Sequence, residues 1–310
     1  MYLCGDMKKW IEAARLRTLP LALACVGMGS ILAYYEGFSG GSKGSYWIIF
    51  LLLVVTTILL QVLSNFANDY GDFVHGADSK ERKGPSRLVQ SGAISAKAMK
   101  NAIILFSLLS LLSGVILLYY SIGFQDIGFY IFLALGIAAI FAAITYTAGD
   151  HPYGYIGLGD ISVFLFFGLL GVLGSNYLFT SAFNATNLFP AMACGLFSTA
   201  VLNLNNIRDI ESDVKAGKKS IPVRIGRQAA VKYHIALIAL GVVSAVIFMM
   251  LNYQSIFQFL FVLVFPLFMR NIKAVSKFKV PEKLDPYLKQ LAISTLIFVI
   301  LFGIGLLSVV

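Results

Sequence analysis

The sequence predicts an all-α, polytopic membrane protein of about nine transmembrane helices around a central cavity, and three observations predict it. Of its 310 residues, 58% are hydrophobic and only 13% charged, with a mean hydropathy of +0.82. A soluble domain carries roughly 25% charged residues, so this composition excludes an ordinary water-soluble globule. Apolar runs of about 20 residues, enough to cross a bilayer, recur along the whole chain. Finally, 23 of the 24 Lys and Arg residues fall in segments of one parity.

The runs lie near 19–36, 46–67, 100–120, 127–147, 159–180, 188–206, 231–251, 255–270 and 289–309. The first follows a basic tail holding Lys8, Lys9, Arg15 and Arg17. The second ends at an Asp-rich stretch, and the third follows Lys97 and Lys100. The fourth and fifth flank a Gly- and Tyr-containing loop, and the sixth ends at a second Asp-rich stretch. Only a short turn divides the seventh from the eighth, and the last follows the basic segment 270–289. No segment supports a separate soluble domain, so residues 1–310 read as a single membrane domain.

Orientation follows from the basic residues, because loops facing the cytoplasm carry the excess of Lys and Arg. The tail, the 68–100 loop, the 207–232 loop and the 270–289 segment hold all of them except Lys43. The N-terminus is therefore expected inside and the C-terminus outside. The net charge of +9 is a topological signature, reinforced by anionic lipid, and requires no nucleic acid. Cys4, Cys25 and Cys194 show no CxxC or Cys/His spacing, so neither a disulfide framework nor a thiolate metal site is indicated. The apolar stretch before Cys25 is too short, and interrupted by Pro20, for a lipoprotein leader.

Acidic residues are scarce, so their clustering carries information. Of fifteen, Asp69, Asp72, Asp78 and Glu81 follow the second run, and Asp209, Glu211 and Asp213 follow the sixth. Each cluster is preceded by Asn (Asn65 and Asn68; Asn205 and Asn206) and followed by Gly, Lys, Pro and Arg in a similar order. This weak internal repeat suggests two related halves facing one site. Asn205, Asp209 and Asp213 recur every four residues, and Asn65, Asn68 and Asp72 at spacings of three and four, so each set lines one helix face. Two such faces at one depth would repel without a cation between them. Oxygen ligands of this kind suit Mg2+, typically held by one or two carboxylates plus substrate phosphates. The adjacent Lys83, Arg87, Arg208, Lys219 and Arg224 suit phosphate oxygens. A solvated inward-facing loop would also be basic. Two loops sharing order and helical phase in an acid-poor chain are not explained that way.

At this point the residues resemble a known family. Asn68-Asp69-x-x-Asp72 and Asp209-x-x-x-Asp213 are similar to the two Asp-rich signatures of the UbiA superfamily of intramembrane prenyltransferases. Several stretches look most like its 1,4-dihydroxy-2-naphthoate prenyltransferase branch in menaquinone biosynthesis. They are residues 14–20, Asn68-Asp69-Tyr70-Gly71-Asp72-Phe73, residues 84–92, Tyr146-Thr147, residues 154–160 and Asn205-Asn206-Ile207-Arg208-Asp209. Gly76 stands where the general pattern has a third Asp, with Asp78 two residues on, and Leu16 stands where the branch usually has Pro.

The resemblance implies a nine-helix bundle in a bacterial cytoplasmic membrane, transferring a polyprenyl chain from its diphosphate to an aromatic acid with loss of diphosphate and CO2. It implies Asn68, Asp69, Asp72, Asp209 and Asp213 as catalytic Mg2+ ligands. The expected substrate-binding residues are Asn65, Lys83, Arg87, Asn205, Arg208, Lys219 and Arg224, with Arg17 facing the acceptor's carboxylate. Tyr146, Tyr153 and Tyr155 are expected to shelter the allylic cation. Acceptors such as 4-hydroxybenzoate or homogentisate remain the alternative. A transporter is disfavoured because the charges sit at helix ends rather than mid-membrane.

Overall fold

The computed structural model describes residues 2–38, 45–76 and 87–309, with the side chains of 2–6 excepted. Lys43, Asp78, Glu81 and Lys83 lie outside the described residues. Among those described, nine helices are long and apolar enough to span a bilayer, in the positions the apolar runs predict.

A short helix α1 (Tyr2–Ala14) turns at Arg15, whose left-handed backbone (φ 49°) is uncommon for a residue with a side chain. Helix α2 (Leu19–Tyr35) follows, with Pro20 in its first turn, where no N–H is missed. Next come α3 (Tyr46–Val74), α4 (Ala96–Ser121) and α5 (Ile127–Thr145). Helix α6 (Gly159–Thr180) widens to π geometry over Phe164–Gly174. Helix α7 (Leu188–Arg208) leads into the short α8 (Ile210–Lys215), then α9 (Ile221–Leu251), α10 (Ile256–Lys277) and α11 (Asp285–Leu307).

The expected end of the second span at residue 67 is two turns short, because α3 continues to Val74. Asp69 and Asp72 therefore stand on helix rather than loop. Their partners make this possible. Both carboxylates are buried, and each is met by donors from residues 87–89.

Two packed groups frame the interior. Helices α2, α6, α7, α9, α10 and α11 share a core containing Met28, Phe197, Phe248, Phe261, Phe298 and Phe302. Helices α1, α3 and α4 share another around Leu63, Phe66, Leu88, Met99 and Ile103, with Ile140 and Ile144 of α5 packed on it. Helix α5 packs against α3 and α4, whereas α6 packs against α2 and α7. The outward faces of α4 and α5 expose Leu105, Leu108, Leu112, Ile131, Leu135 and Phe141, as a lipid-facing surface requires. At the end remote from the Asp clusters, Glu36 accepts from the amides of Asn176, Asn184 and Asn187 at 2.8–2.9 Å, tying α2 to α6 and to the start of α7.

Candidate active site

Both Asp-rich stretches open onto one polar chamber of about 230 Å3. Asn65, Asn68 and Asp72 of α3 line it from one side, and Asn205, Asn206, Asp209 and Asp213 from the other. The two helical faces read from the spacing therefore meet. The second is not one continuous helix: the chain leaves α-helical geometry at Asp209 before α8 begins, yet all three positions reach the chamber.

Asp72 is met by three side-chain donors. Arg87 Nη2 donates to Oδ2, while Lys218 Nζ (2.8 Å) and Tyr155 Oη (3.0 Å) donate to Oδ1. Lys218 also lies over the Tyr155 ring, 4.7 Å from its centroid. Gly71 lets α3 approach the loop after α5, because a Cβ there would stand 2.5 Å from the Thr147 backbone. Thr147 in turn donates to Asn68 Oδ1 at 3.1 Å. On the other side, Asp209 is gripped by the guanidinium of Arg208 at 2.7 and 2.8 Å. Asp213 accepts from Ser220 Oγ at 3.2 Å. Burial pushes the Asp213 carboxyl up to about 6; Lys218 opposes that shift, and Asp209 and Asp72 add to it.

Several expected residues lie elsewhere. Asp69 is absent from the chamber wall, and its carboxylate accepts from the backbone N–H of Leu88 (3.1 Å) and Val89 (3.4 Å). Arg208 is buried and does not line the chamber; it binds Asp209, Asn205 and Asp285. Arg224 donates to the backbone oxygens of Lys219 and Ile156, stapling two loops together. Lys219 points to solvent, and its neighbour Lys218 takes the inward place. Arg17 does line the chamber, paired with Asp285 at 3.2 Å. Asn65 Nδ2 donates to Ala14 O and Thr18 Oγ1, fixing the corner between α1 and α2.

Lys218 and Ser220 fall in the basic stretch after the second Asp cluster and Asp160 in the 154–160 stretch, but the spacing singles out none of them, and Asp285 carries no signal at all. Lys218 and Lys219 are indistinguishable in sequence, and Asp285 reaches Arg17 and Arg208 only through the tertiary fold.

A second cavity of about 390 Å3, mostly apolar, runs from this chamber among α2, α3, α4, α5 and α6. The two share Gln61, Asn65, Asn68, Tyr146, Val163, Phe167 and Leu202 as common wall. Tyr146 packs edge-on against Tyr153, whose hydroxyl bonds Ala142 O and Ser162. Among the described residues no three His, Cys, Asp or Glu side chains form a ready metal cage. The oxygen donors nevertheless fit Mg2+, which keeps an incomplete protein shell and completes it with phosphate and water. Asp72 meanwhile has Arg87 and Lys218 as its counter-cations.

A charged chamber opening into a mostly apolar one, inside a bundle of helices long and apolar enough to span a bilayer, defines a membrane protein with one continuous amphipathic interior. The chain belongs to the UbiA prenyltransferase family, whose profile matches residues 21–284. It is 46% identical to the 1,4-dihydroxy-2-naphthoate octaprenyltransferase of Haemophilus influenzae, over 97% of this chain and 96% of that one. With the enzyme of the same name from Escherichia coli it shares 41%, over 96% and 94%. The fold matches an apo UbiA homolog from Aeropyrum pernix K1 with a TM-score of 0.69 at 16% identity, covering 95% of this chain and 98% of that one. A UbiA homolog from Archaeoglobus fulgidus, bound to DMAPP and Mg2+, matches with a TM-score of 0.58 at 19% identity, over 95% and 99%.

Proposed function

We propose that this protein transfers a polyprenyl chain from its diphosphate to 1,4-dihydroxy-2-naphthoate, releasing diphosphate and CO2, as a step of menaquinone biosynthesis. It does so as one membrane domain over residues 1–310 in a bacterial cytoplasmic membrane. The N-terminus and the polar chamber face the cytoplasm, and the C-terminus faces outward. The observation that carries the reading is the continuity of the two cavities: an anionic head fits the one and its isoprenoid tail the other. The names borne by the two most identical relatives described above supply the acceptor.

Asn68, Asp72, Asp209 and Asp213 would hold Mg2+, with Asn205 beside them. A metal held there would supply charge neutralisation for the leaving diphosphate. Arg87 and Lys218 stand beside Asp72, poised to exchange that carboxylate for phosphate oxygens, with the guanidinium able to bind two at once. Phosphate charge grows as the allylic C–O bond breaks, so these contacts tighten toward the transition state. Tyr146, at the neck between the cavities, offers a ring face to the developing cation. The apolar walls beyond it exclude the water that would otherwise capture the cation.

Purified protein incubated with Mg2+, a polyprenyl diphosphate and, separately, dihydroxynaphthoate, 4-hydroxybenzoate or homogentisate tests the reading by product mass. Prenylated, decarboxylated naphthohydroquinone is expected. Transfer only to one of the other acids would replace the acceptor, and no transfer to any would overturn the function.

A further inference from the structure

Asp160 is a buried carboxylate in the chamber wall that neither Asp-rich stretch contains. It sits in the first turn of α6, and Tyr233 of α9 donates to its Oδ2 at 3.0 Å. Among the described residues no Lys or Arg forms an ion pair with it. Asp72 and Asp209, by contrast, are both paired with cations. A carboxylate buried at a membrane-helix end without a cation is costly, and one aromatic hydroxyl only partly compensates for lost water. Its surroundings are those of the neck between the cavities. Gly159, the preceding residue, has no side chain, and a Cβ there would stand 2.8 Å from the Tyr146 hydroxyl. Val163, one turn on, lines both cavities. The same chamber presents Arg15 and Arg17 from the turn between α1 and α2, and Lys289 from α11. The wall is thus complementary to an aromatic hydroxy acid, with cations for its carboxylate and a carboxylate for its hydroxyl.

We propose that Asp160 is a catalytic residue, the general base that takes the acceptor's hydroxyl proton during prenyl transfer, with Tyr233 as the residue that positions it. The assignment rests on the function proposed above. As the O–H proton passes to Asp160, the ring's electron pair forms the new C–C bond to the allylic C1. The C1–O bond breaks with its pair leaving on the diphosphate, and the acceptor oxygen becomes a carbonyl. Where the attacked carbon bears the carboxylate, the C–CO2 bond then breaks. Its pair restores the aromatic ring, CO2 departs, and the proton returns from Asp160 to the oxygen. Atoms and charge balance with no further reactant.

The test uses full-length protein in detergent. Asp160→Asn keeps the shape and the Tyr233 contact but removes the base. It is expected to lower kcat by about a hundredfold or more, the usual range for general-base loss, with KM for prenyl diphosphate unchanged. The deficit should shrink with a ring-fluorinated hydroxynaphthoate, whose hydroxyl is more acidic. A metal-free titration with hydroxynaphthoate alone gives an independent readout. On binding wild-type protein, and Tyr233→Phe, its absorption band should shift to longer wavelength, as for a hydroxyl hydrogen-bonded to a carboxylate; on binding Asp160→Asn it should not. A deficit that stays constant across acceptors, or a Tyr233→Phe loss equal to that of Asp160→Asn, would assign the pair to helix packing and overturn the proposal. Should Asp160→Asn not fold, the wild-type titration decides, since a bound acceptor with an unshifted band overturns it equally. If wild-type protein prenylates no hydroxynaphthoate, the proposed function fails. If it does, and Asp160→Asn matches it, only the base assignment fails.

Discussion

Asp69 accepts from the backbone N–H of Leu88 at 3.1 Å, so its carboxylate faces the segment after Arg87 rather than the polar chamber. Its neighbour one turn on, Asp72, faces inward and holds the Arg87 guanidinium. The first Asp thus sets the backbone from which the second one's counter-cation reaches in. Asp69→Asn keeps an acceptor for one of the two N–H groups and should retain kcat within about tenfold, since a single net hydrogen bond is worth about 1 kcal/mol. Asp72→Asn should lose about a hundredfold or more, the scale of lost transition-state charge stabilisation. Steady-state rates with melting temperatures check this. Equal losses at both positions with unchanged melting would return Asp69 to the metal.

Lys218 and Lys219 should behave differently although they are adjacent. Lys218 bonds Asp72 and covers Tyr155, whereas Lys219 is exposed. Lys218→Ala is expected to raise KM for the prenyl diphosphate and lower kcat, leaving KM for the aromatic acid nearly unchanged. Lys219→Ala should be near neutral, as surface substitutions usually are. Kinetics with one substrate varied at a time decide, and the reverse order would show that the 217–220 turn rearranges on binding.

Gly136 of α5 lines the apolar cavity, and a Cβ built on it meets nothing within 4 Å. A larger side chain there would enter the space instead of clashing with a neighbour. Gly136→Leu should therefore lower kcat/KM for long prenyl diphosphates while sparing the geranyl compound, because only the long chain needs the far part of the cavity. A series of chain lengths assayed on both proteins checks it. A loss independent of length would mean that the tail takes another route.

Topology is testable without any assay of chemistry. Lys215, beside the second Asp cluster, and Gln125, between α4 and α5, are both exposed. Lys215→Cys should resist an impermeant thiol reagent added to intact cells, and Gln125→Cys should react. Labelling of Lys215→Cys from outside would invert the orientation drawn from the basic residues.

Much of this arrangement is legible in the sequence, for reasons specific to each part. The spans show because a bilayer demands long apolar runs and basic residues mark one side. The Asn68–Asp72 and Asp209–Asp213 faces show because α-helical periodicity projects residues four apart in nearly one direction. Asp69, four residues after Asn65, belongs beside that face by the same periodicity; its carboxylate is drawn from the chamber by the backbone N–H groups of Leu88 and Val89, a contact that local pattern does not encode. Arg224 illustrates the opposite limit. A basic residue after an Asp cluster suggests phosphate, but its guanidinium is used up on two loop carbonyls. Asp285 reaches Arg208 across 77 residues of chain, a pairing that local pattern does not encode.

The apolar cavity passes between α5 and α6, and Leu135 of α5, 40% exposed, is part of its wall. Under the proposed function, a prenyl tail lodged there would meet the surrounding lipid through this wall, and its entry and exit would need no passage through water. Under that function one substrate is then counted per litre of water and the other per molecule of membrane. Rates in micelles will follow the mole fraction of prenyl diphosphate in detergent. Diluting at constant protein and prenyl substrate with extra detergent should slow turnover, while diluting with buffer should not.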